Sequence, residues 1–583
     1  MDDAGEALKV MCAPTAAAPG GAGGQPSLRR ALWAEVRPPV FDLALAAILL
    51  IGLACAFVGL ASSSYFVDEL FTLYVIDHHG GAGEVLKRAL TDVWPPIYYL
   101  LLYGWSKLAG HSEIATRLPS AGFAVAALAA VALGLRRRFS PRALLFAAAV
   151  AVTGKFWFDQ AQEARGYTLG VLISTGLLLF AVTLRARTQI RQSPWPSWAG
   201  LTVLALVGAF VHFYVALEAG LVIAFLILTT GGPRLKAALV GSGLASVVAT
   251  GAYSAVLVGH TQWDIHHTWF GADMQFLVSQ LVGAVNGICG PAVAVILAGL
   301  IAVGARRVVQ SRRKGEDLQT ILAPETAWAT GLAIFVLLGM IALGFAISLT
   351  VAPSFSDRNL LIAAPMAWVL WAAIFELAAP RLDQAGGKLV AVAIVVVLGG
   401  TLALESEGRF LPRQENWRAA AGYVDSLKTC GGAEIPVVQT FGPPTPHFHA
   451  LAEAELYGRY ARAPRRLRAY PASAFGGRDR DPIEPATVGV PTPPTTAELA
   501  QARPDLIALL RARLAPDTDA CPVLAWAVHR VTATDMENLR QAIARSAQVP
   551  AERMEVRWFP QYKLGLLGWR SHPEAYVLLA RRP

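Results

Sequence analysis

Residues 40–69, VFDLALAAILLIGLACAFVGLASSSYFVDE, form a long apolar run that ends on two adjacent carboxylates, Asp68 and Glu69. A helix of about 20 apolar residues crosses the hydrocarbon core of a bilayer. The stretch therefore predicts a membrane span near 40–61, with the acids where that span meets water. Ionisable groups at such a place cost free energy unless they face a cavity or a partner. The pair is thus either a solvated helix end or the first trace of chemistry. Comparable runs recur near 115–135, 142–158, 166–184, 197–214, 216–232, 236–258, 284–304, 326–350, 360–378 and 388–404. By length this predicts about eleven spans.

Composition agrees with a polytopic membrane protein: of 583 residues, 55% are hydrophobic and only 16% charged, well below the usual charged share of a soluble domain. The net charge of +9 does not imply nucleic acid as a partner, because the basic residues lie in short loops between apolar blocks and form no basic face. They alternate instead. Arg136 to Arg138 with Arg142, then Arg185, Arg187 and Arg191, then Arg234 and Lys236, then Arg306, Arg307, Arg312, Arg313 and Lys314, then Arg381 and Lys388 fall on every second loop. The positive-inside rule places these loops in the cytoplasm, together with the N-terminus and its Arg29, Arg30 and Arg37. Residues 1–38 are acidic and then Ala/Gly/Pro-rich, without an n-region, h-region or cleavage site, and read as a disordered cytoplasmic tail before an uncleaved span.

The apolar segment Pro95 to Trp105 is too short to span, and counting it would put Arg136 to Arg138 on the wrong side. Its Tyr and Trp rings suit a helix lying at the interface. The first outer loop therefore runs over 62–114 with juxtamembrane helices, inside a transmembrane domain of 39–404. Residues 405–583 have globular composition and predict a small outer α/β domain. Helices are expected from Glu415 to Val424, over Thr496–Leu514 and over Thr534–Ala547, and strands over Ile435–Thr440, Pro522–Val528 and Ala575–Ala580. A Pro/Gly/Arg-rich loop is expected over about 465–497. Cys430 and Cys521 could form a bridge if they meet in space. Cys12, Cys55 and Cys289 lack metal-ligand spacing, and the glycines at 20–24 follow no strand and cradle no phosphate.

Charged residues on the outer loops are the candidates for chemistry. The first loop supplies Asp68, Glu69 and Asp92, the second Asp159, Gln160, Gln162, Glu163 and Arg165 leading into Tyr167. Later loops supply His260, Asp264, His266 and His267, and then Asp357, Arg358 and Asn359. Arg165 and Arg358 stand on a face otherwise poor in base, at helix ends where a membrane-embedded anion could reach them. Guanidinium is a planar, permanently charged donor to phosphate oxygens. Either arginine could equally pair with a neighbouring acid, Arg165 with Glu163 or Asp159 and Arg358 with Asp357. A carboxylate base beside a cation that receives a departing phosphate describes glycosyl transfer from a lipid phosphate. One base suffices for direct displacement with inversion. His212, near the outer end of its span, reads as a hydrogen-bonded packing residue before a ligand. Asp264 with His266 and His267 lacks helical ligand spacing, so a divalent metal stays open without being indicated. Asp479-Arg480-Asp481 resembles a nucleotide-sugar clamp, but it lies in a loop on a face without nucleotide sugars.

Asp68-Glu69 after the first span, Asp92-Val93-Trp94-Pro95-Pro96-Ile97-Tyr98-Tyr99-Leu100-Leu101-Leu102, Ser112-Glu113, Arg117-Leu118-Pro119-Ser120 and Gln162-Glu163-Ala164-Arg165-Gly166-Tyr167 resemble the family 39 glycosyltransferases of the GT-C fold, the bacterial relatives of protein O-mannosyltransferases and of lipid A aminoarabinose transferase. The resemblance is strongest over about residues 60–185, with echoes at His212-Phe213-Tyr214, from Arg358 to Pro365 and at Trp417-Arg418. It implies a multi-pass protein of the bacterial inner membrane and a polyprenyl-phosphate sugar donor. It also implies a lipid, glycan or protein acceptor, and transfer on the periplasmic face. Asp68 would be the base, with Glu69 beside it and Asp92 as a second acid orienting acceptor or sugar. Arg165 and Arg358 would hold the donor phosphate, and Glu163, Tyr167, His212 and Tyr98 would line the cavity. Family members often carry His before the Pro-Pro pair, where this chain has Trp94. Two rivals share the architecture: a transporter or flippase of lipid-linked sugars, whose charges would sit at mid-membrane on broken helices, and a non-enzymatic subunit of envelope assembly.

Overall fold

The computed structural model describes residues 38–76, 80–90, 92–260, 271, 273–315, 321–382, 387–439, 458–460, 466–475, 496–528, 531–565 and 568–581. The tail with Arg29, Arg30 and Arg37, Cys12, the side chain of His260, Asp264, His266, His267 and Asp479 to Asp481 lie outside the described residues.

The opening apolar run forms α1 (Pro38–Phe57). The first outer loop holds three short helices, α2 (Val67–Ile76), α3 (Ala82–Ala89) and α4 (Ile97–Ala109). The chain continues through α5 (Glu113–Gly134), α6 (Pro141–Val152), the short α7 (Lys155–Ala161), α8 (Tyr167–Gln189), α9 (Trp195–Ala209), α10 (Phe213–Thr229), α11 (Pro233–His260), α12 (Met274–Arg313) and α13 (Pro324–Thr350). Then α14 (Asp357–Leu360) passes through the tight turn Leu361–Ala363 into α15 (Ala364–Leu382), and α16 (Gly387–Gly408) closes the bundle. Among the described residues, eight helices are long and apolar enough to cross a membrane, with α14 and α15 counted as one, and α6, α9 and α10 are shorter apolar helices.

Besides α9, which ends at Ala209 short of the expected 214, two spans depart from the sequence expectation. The one expected over 142–158 breaks after Val152, because the α12 backbone passes so close that a Cβ on Gly154 would lie 2.6 Å from the Ile288 carbonyl. The one expected over 284–304 is the middle of a longer, kinked α12, in which Gly290 takes a left-handed φ of 68° just before Pro291. Proline there lacks the N–H that would continue the ladder. Among the candidate spans α8 and α15 are the most enclosed; α8 packs on α5, α9 and α10, and α15 on α6, α12 and α13.

One end of the bundle gathers the basic loops. Arg138 donates to the Val182 carbonyl (3.3 Å), Arg185 to that of Thr229 (3.3 Å) and Arg307 to that of Leu377 (3.1 Å). Cations at helix C-termini answer the negative end of the helix dipole. The opposite end holds α2 to α4 and the second domain.

That domain contains α17 (Trp417–Ser426), β1 (Glu434–Gln439), β2 (Arg466–Pro471), α18 (Thr496–Leu514), β3 (Val523–Val528), α19 (Ala533–Ala547), β4 (Met554–Gly565) and β5 (Gly568–Ala580). The sheet order is β2-β1-β3-β5-β4, with β1 parallel to β2 and β3, and β5 antiparallel to β3 and β4. Val438, Leu524 and Leu578 from the sheet pack against Leu539 and Ile543 of α19, which starts on a reciprocal Thr532–Asp535 cap. A Cys430–Cys521 disulfide ties the approaches to β1 and β3. Strand β2 begins inside the stretch read from sequence as loop. Strand β4 was not foreseen at all, since its alternation of Val556, Trp558 and Pro560 is broken by a register shift between Phe559 and Pro560.

Candidate active site

Short connections bring together the N-termini of α2, α8, α10 and α14. At the start of α2 the two acids part ways. Glu69 folds back to accept from the Phe66 N–H (2.9 Å) and is wholly buried, as an acid near a helix N-terminus should when its orphan N–H groups lack water. Its Oε1 also accepts from Arg117 Nε (2.8 Å) and the Ala164 N–H (2.8 Å), and its Oε2 from Arg117 Nη2 (2.7 Å). The remaining Arg117 donors go to the carbonyls of Leu60 (2.5 Å), Ser63 (2.9 Å) and Ser64 (2.9 Å). Glu69, expected beside Asp68 in catalysis, joins the 60–69 segment, α5 and the approach to α8 through these bonds.

Asp68, one residue earlier on the helix, points the other way and is 36% exposed. Its Oδ2 meets Arg358 Nη1 at 3.4 Å, and Arg358 is itself 23% exposed and lies over the Phe66 ring at 4.9 Å. The arginine is placed by the α14 cap, where Ser356 Oγ accepts from the Asn359 N–H (3.2 Å) and Gln280 accepts from the Asp357 N–H (3.2 Å).

Arg165 closes the other side. It is buried, stacks over Trp94 at 4.3 Å, and donates from Nη1 to the Asp68 carbonyl (3.3 Å), Thr72 Oγ1 (3.3 Å) and the Tyr99 hydroxyl oxygen (3.2 Å). The Tyr99 hydroxyl in turn donates to Asp92 Oδ2, and Asp92 Oδ1 accepts from the Val93 N–H (2.8 Å). Asp92, expected to face acceptor or sugar, therefore stands behind Arg165 as its relayed counter-charge. Burial raises its carboxyl above the ordinary range, against the pull of Arg165 and the Tyr99 hydrogen bond.

Trp94, at the position that departs from the family pattern, is the hub of the packing. It makes edge contacts with Tyr167 (4.7 Å between ring centres) and His212 (4.6 Å), while His212 Nδ1 caps α10 by accepting from the Tyr214 N–H (3.1 Å). His212 thus caps and packs. Tyr98 does not reach the site: it is fully buried, bonded to Ser120 (3.0 Å), and lies against Gly166.

Glu163 is buried close to Arg358, and its Oε1 accepts from Gln414 Nε2 (3.1 Å). Burial pushes its carboxyl up to about 7, with Arg358 opposing and the nearby acids Glu69, Asp159 and Asp68 adding to the rise. Gln414 belongs to the segment entering the second domain. So does Arg413, which pairs with Asp159 (2.7 Å) and also donates to Gln162. Arg117, Arg413, Gln414, Tyr99 and Thr72 were not singled out as site residues from sequence. Arg413 carries no clear signal, since Arg409 and Arg418 flank it in a stretch rich in arginine. Among the described residues no three His, Cys, Asp or Glu side chains are grouped to hold a metal ion.

Arg358 meets the Asp68 side chain and Arg165 the Asp68 backbone carbonyl, so two guanidinium groups hold the one partly exposed residue. Helix N-termini add positive potential at the same place. Such a site can hold a phosphate and take a proton within a few ångströms of it.

No protein-family model and no curated protein matches the chain. Solved structures resemble it. Over 92% of this chain and 97% of the other, it is similar to ArnT from Cupriavidus metallidurans bound to undecaprenyl phosphate, with 14% identity and a TM-score of 0.49. Over 94% of this chain and 40% of the other, it is similar to the arabinofuranosyltransferase AftD from Mycobacteria, with 14% identity and a TM-score of 0.45. Over 91% and 74%, it is similar to the archaeal oligosaccharyltransferase AglB from Archaeoglobus fulgidus in complex with an inhibitory peptide and a dolichol-phosphate, with 11% identity and a TM-score of 0.40.

Proposed function

We propose that this chain is an inverting glycosyltransferase that moves a sugar from a polyprenyl-phosphate donor to a hydroxyl acceptor. The observation that carries the reading is Asp68: a half-exposed carboxylate whose side chain meets Arg358 at 3.4 Å and whose carbonyl is held by Arg165 at 3.3 Å. In the reaction the acceptor hydroxyl oxygen attacks the anomeric carbon and gives its proton to the Asp68 carboxylate. The bond from that carbon to the donor phosphate oxygen breaks, and the polyprenyl phosphate leaves with the electron pair. Negative charge grows on the departing phosphate, and Arg165 and Arg358 stabilise it. Because Arg358 touches Asp68 by one long contact, an incoming phosphate competes for the guanidinium and frees the carboxylate to act as base.

Membrane orientation follows from charge. The basic loops lie at the end opposite Asp68, so the positive-inside rule supports a periplasmic site in a bacterial inner membrane. Residues 39–404 would form the catalytic membrane domain and 405–583 a periplasmic domain above it. The acceptor is a lipid, a glycan or a protein hydroxyl.

The test is direct. Purified protein is incubated with a panel of polyprenyl-phosphate sugars and candidate acceptors, and free polyprenyl phosphate is followed by mass spectrometry. Release that depends on acceptor and disappears in Asp68→Asn is expected. Binding and movement of the lipid across vesicles, with no release by the wild type, would overturn the reading in favour of a flippase.

A further inference from the structure

The β4–β5 hairpin runs down the side of the last spanning helix. Asn416 Nδ2 donates to the Pro560 carbonyl (3.0 Å), the Tyr562 N–H to the Pro412 carbonyl (2.9 Å), and Trp569 Nε1 to the Leu404 carbonyl (2.7 Å). Leu564 pairs across the hairpin with Trp569. Moving toward the hairpin end therefore moves back along the chain from 416 to 412 to 404. The last of these lies inside α16, within the apolar stretch Val390–Gly408. The indole sits so tightly on this helix that a Cβ on Gly408 would fall 1.8 Å from it.

That level lies near the end of a helix long and apolar enough to cross a membrane. Leu404, whose carbonyl accepts from the indole, is 50% exposed, and Phe410, two residues past the Gly408 that the indole covers, is 71% exposed. Sequence composition at the hairpin end matches an interfacial anchor. Residues 564–569 read LGLLGW, with Tyr562 and Lys563 before them and Arg570 after. Tyr and Trp rings favour the headgroup level, where one edge is apolar and the other wet, and basic side chains there reach the phosphates. Lys563 is paired with Glu574, while Arg570 is exposed.

We infer that the end of the β4–β5 hairpin, carried by Leu564 and Trp569 together with Phe410, inserts into the headgroup layer of the bilayer and fixes the second domain to the membrane surface. The partner is the lipid interface itself. A domain so fixed is tied by the hairpin and by the chain entering it through Arg413 and Gln414, which keeps that entry segment on the 159–163 loop. The inference is independent of the chemistry at Asp68.

A bimane probe is placed by Leu564→Cys in the full chain after replacement of Cys12, Cys55 and Cys289 by Ala, leaving the Cys430–Cys521 bridge. The protein is reconstituted in phosphatidylcholine–phosphatidylglycerol vesicles. A parallel Arg570→Cys variant covers the case in which the first does not fold, and Glu552→Cys, at the far end of β4, is the control. Lipid carrying a doxyl group at a shallow chain position is expected to quench at 564 and 570 and to leave 552 bright, with aqueous iodide doing the reverse. Iodide quenching at 564 and 570 equal to that at 552, without doxyl quenching, would overturn it.

Discussion

Two ion pairs, begun by adjacent residues, differ in every property that matters for function. Glu69 and Arg117 are 0% and 2% exposed, joined by two hydrogen bonds of 2.7 and 2.8 Å, and every remaining donor of the guanidinium is used. Asp68 and Arg358 are 36% and 23% exposed and touch once, at 3.4 Å. The first pair can only be broken. The second can be exchanged. A saturated buried pair is strongly destabilising to interrupt because it leaves an uncompensated charge, whereas an open pair gives its cation to a better anion at little cost. In the proposed reaction the two acids then divide holding from reacting across a single peptide bond.

The largest effect expected from disturbing this contrast is on turnover. Asp68→Asn keeps shape and removes the base, and transfer should fall by roughly 10²–10⁴-fold, the usual contribution of a positioned base, with thermal unfolding in detergent unchanged. Equal loss in Glu69→Gln at full stability would erase the proposed division of labour. Next comes the anchor. Arg117→Met leaves Glu69 buried without its cation, and a loss of about 3–5 kcal/mol in unfolding free energy is expected, read as a collapse of folded yield and melting temperature; a variant that melts like the wild type contradicts the anchor role.

Glu163 gives a third handle, through pH. Its folded carboxyl is raised from an ordinary 4.5 to about 7, so the folded state binds more protons than the unfolded one between these values. Stability then falls as pH rises across that window and levels off above it, by an amount on the order of 3 kcal/mol. Glu163→Gln should flatten the melting temperature between pH 4.5 and 7, and an unaltered slope would assign the titration elsewhere. The smallest effect is expected from Arg358→Lys, which keeps the charge but loses the planar fork. Donor-lipid binding, measured by titration in detergent, should weaken by about 1.5–3 kcal/mol at most, the worth of one hydrogen bond to a charged group. Unchanged affinity would mean that Arg358 serves Asp68 and not the phosphate.

Much of the bundle was legible, and the failures have local causes. The apolar blocks are read correctly as helices because burying a backbone in lipid leaves little alternative. The break after Val152 could not be read, because it is imposed by the Ile288 carbonyl arriving from a distant helix. Residues Asp68, Arg165 and Arg358 stand out in the sequence among the few charges on the connections facing away from the basic loops. Tyr98 stands out equally and lies behind the site, since aromatic residues at one face of a short helix pack as readily as they bind. Gln414 carries no signal at all: its meaning comes only from lying 3.1 Å from Glu163, which is 251 residues away in the chain.

By itself the sequence determined that this chain crosses a membrane repeatedly, that its bases alternate between loops, and that a few acids and arginines are left facing the other way. These follow from transfer free energies that each segment meets on its own, residue by residue. Only the tertiary structure decided which of two neighbouring acids is free. Reactivity here depends on through-space distances to Arg117, Arg165 and Arg358, which lie on separate helices and connections, and Coulomb and hydrogen-bond energies at a few ångströms are set by packing and not by spacing along the chain.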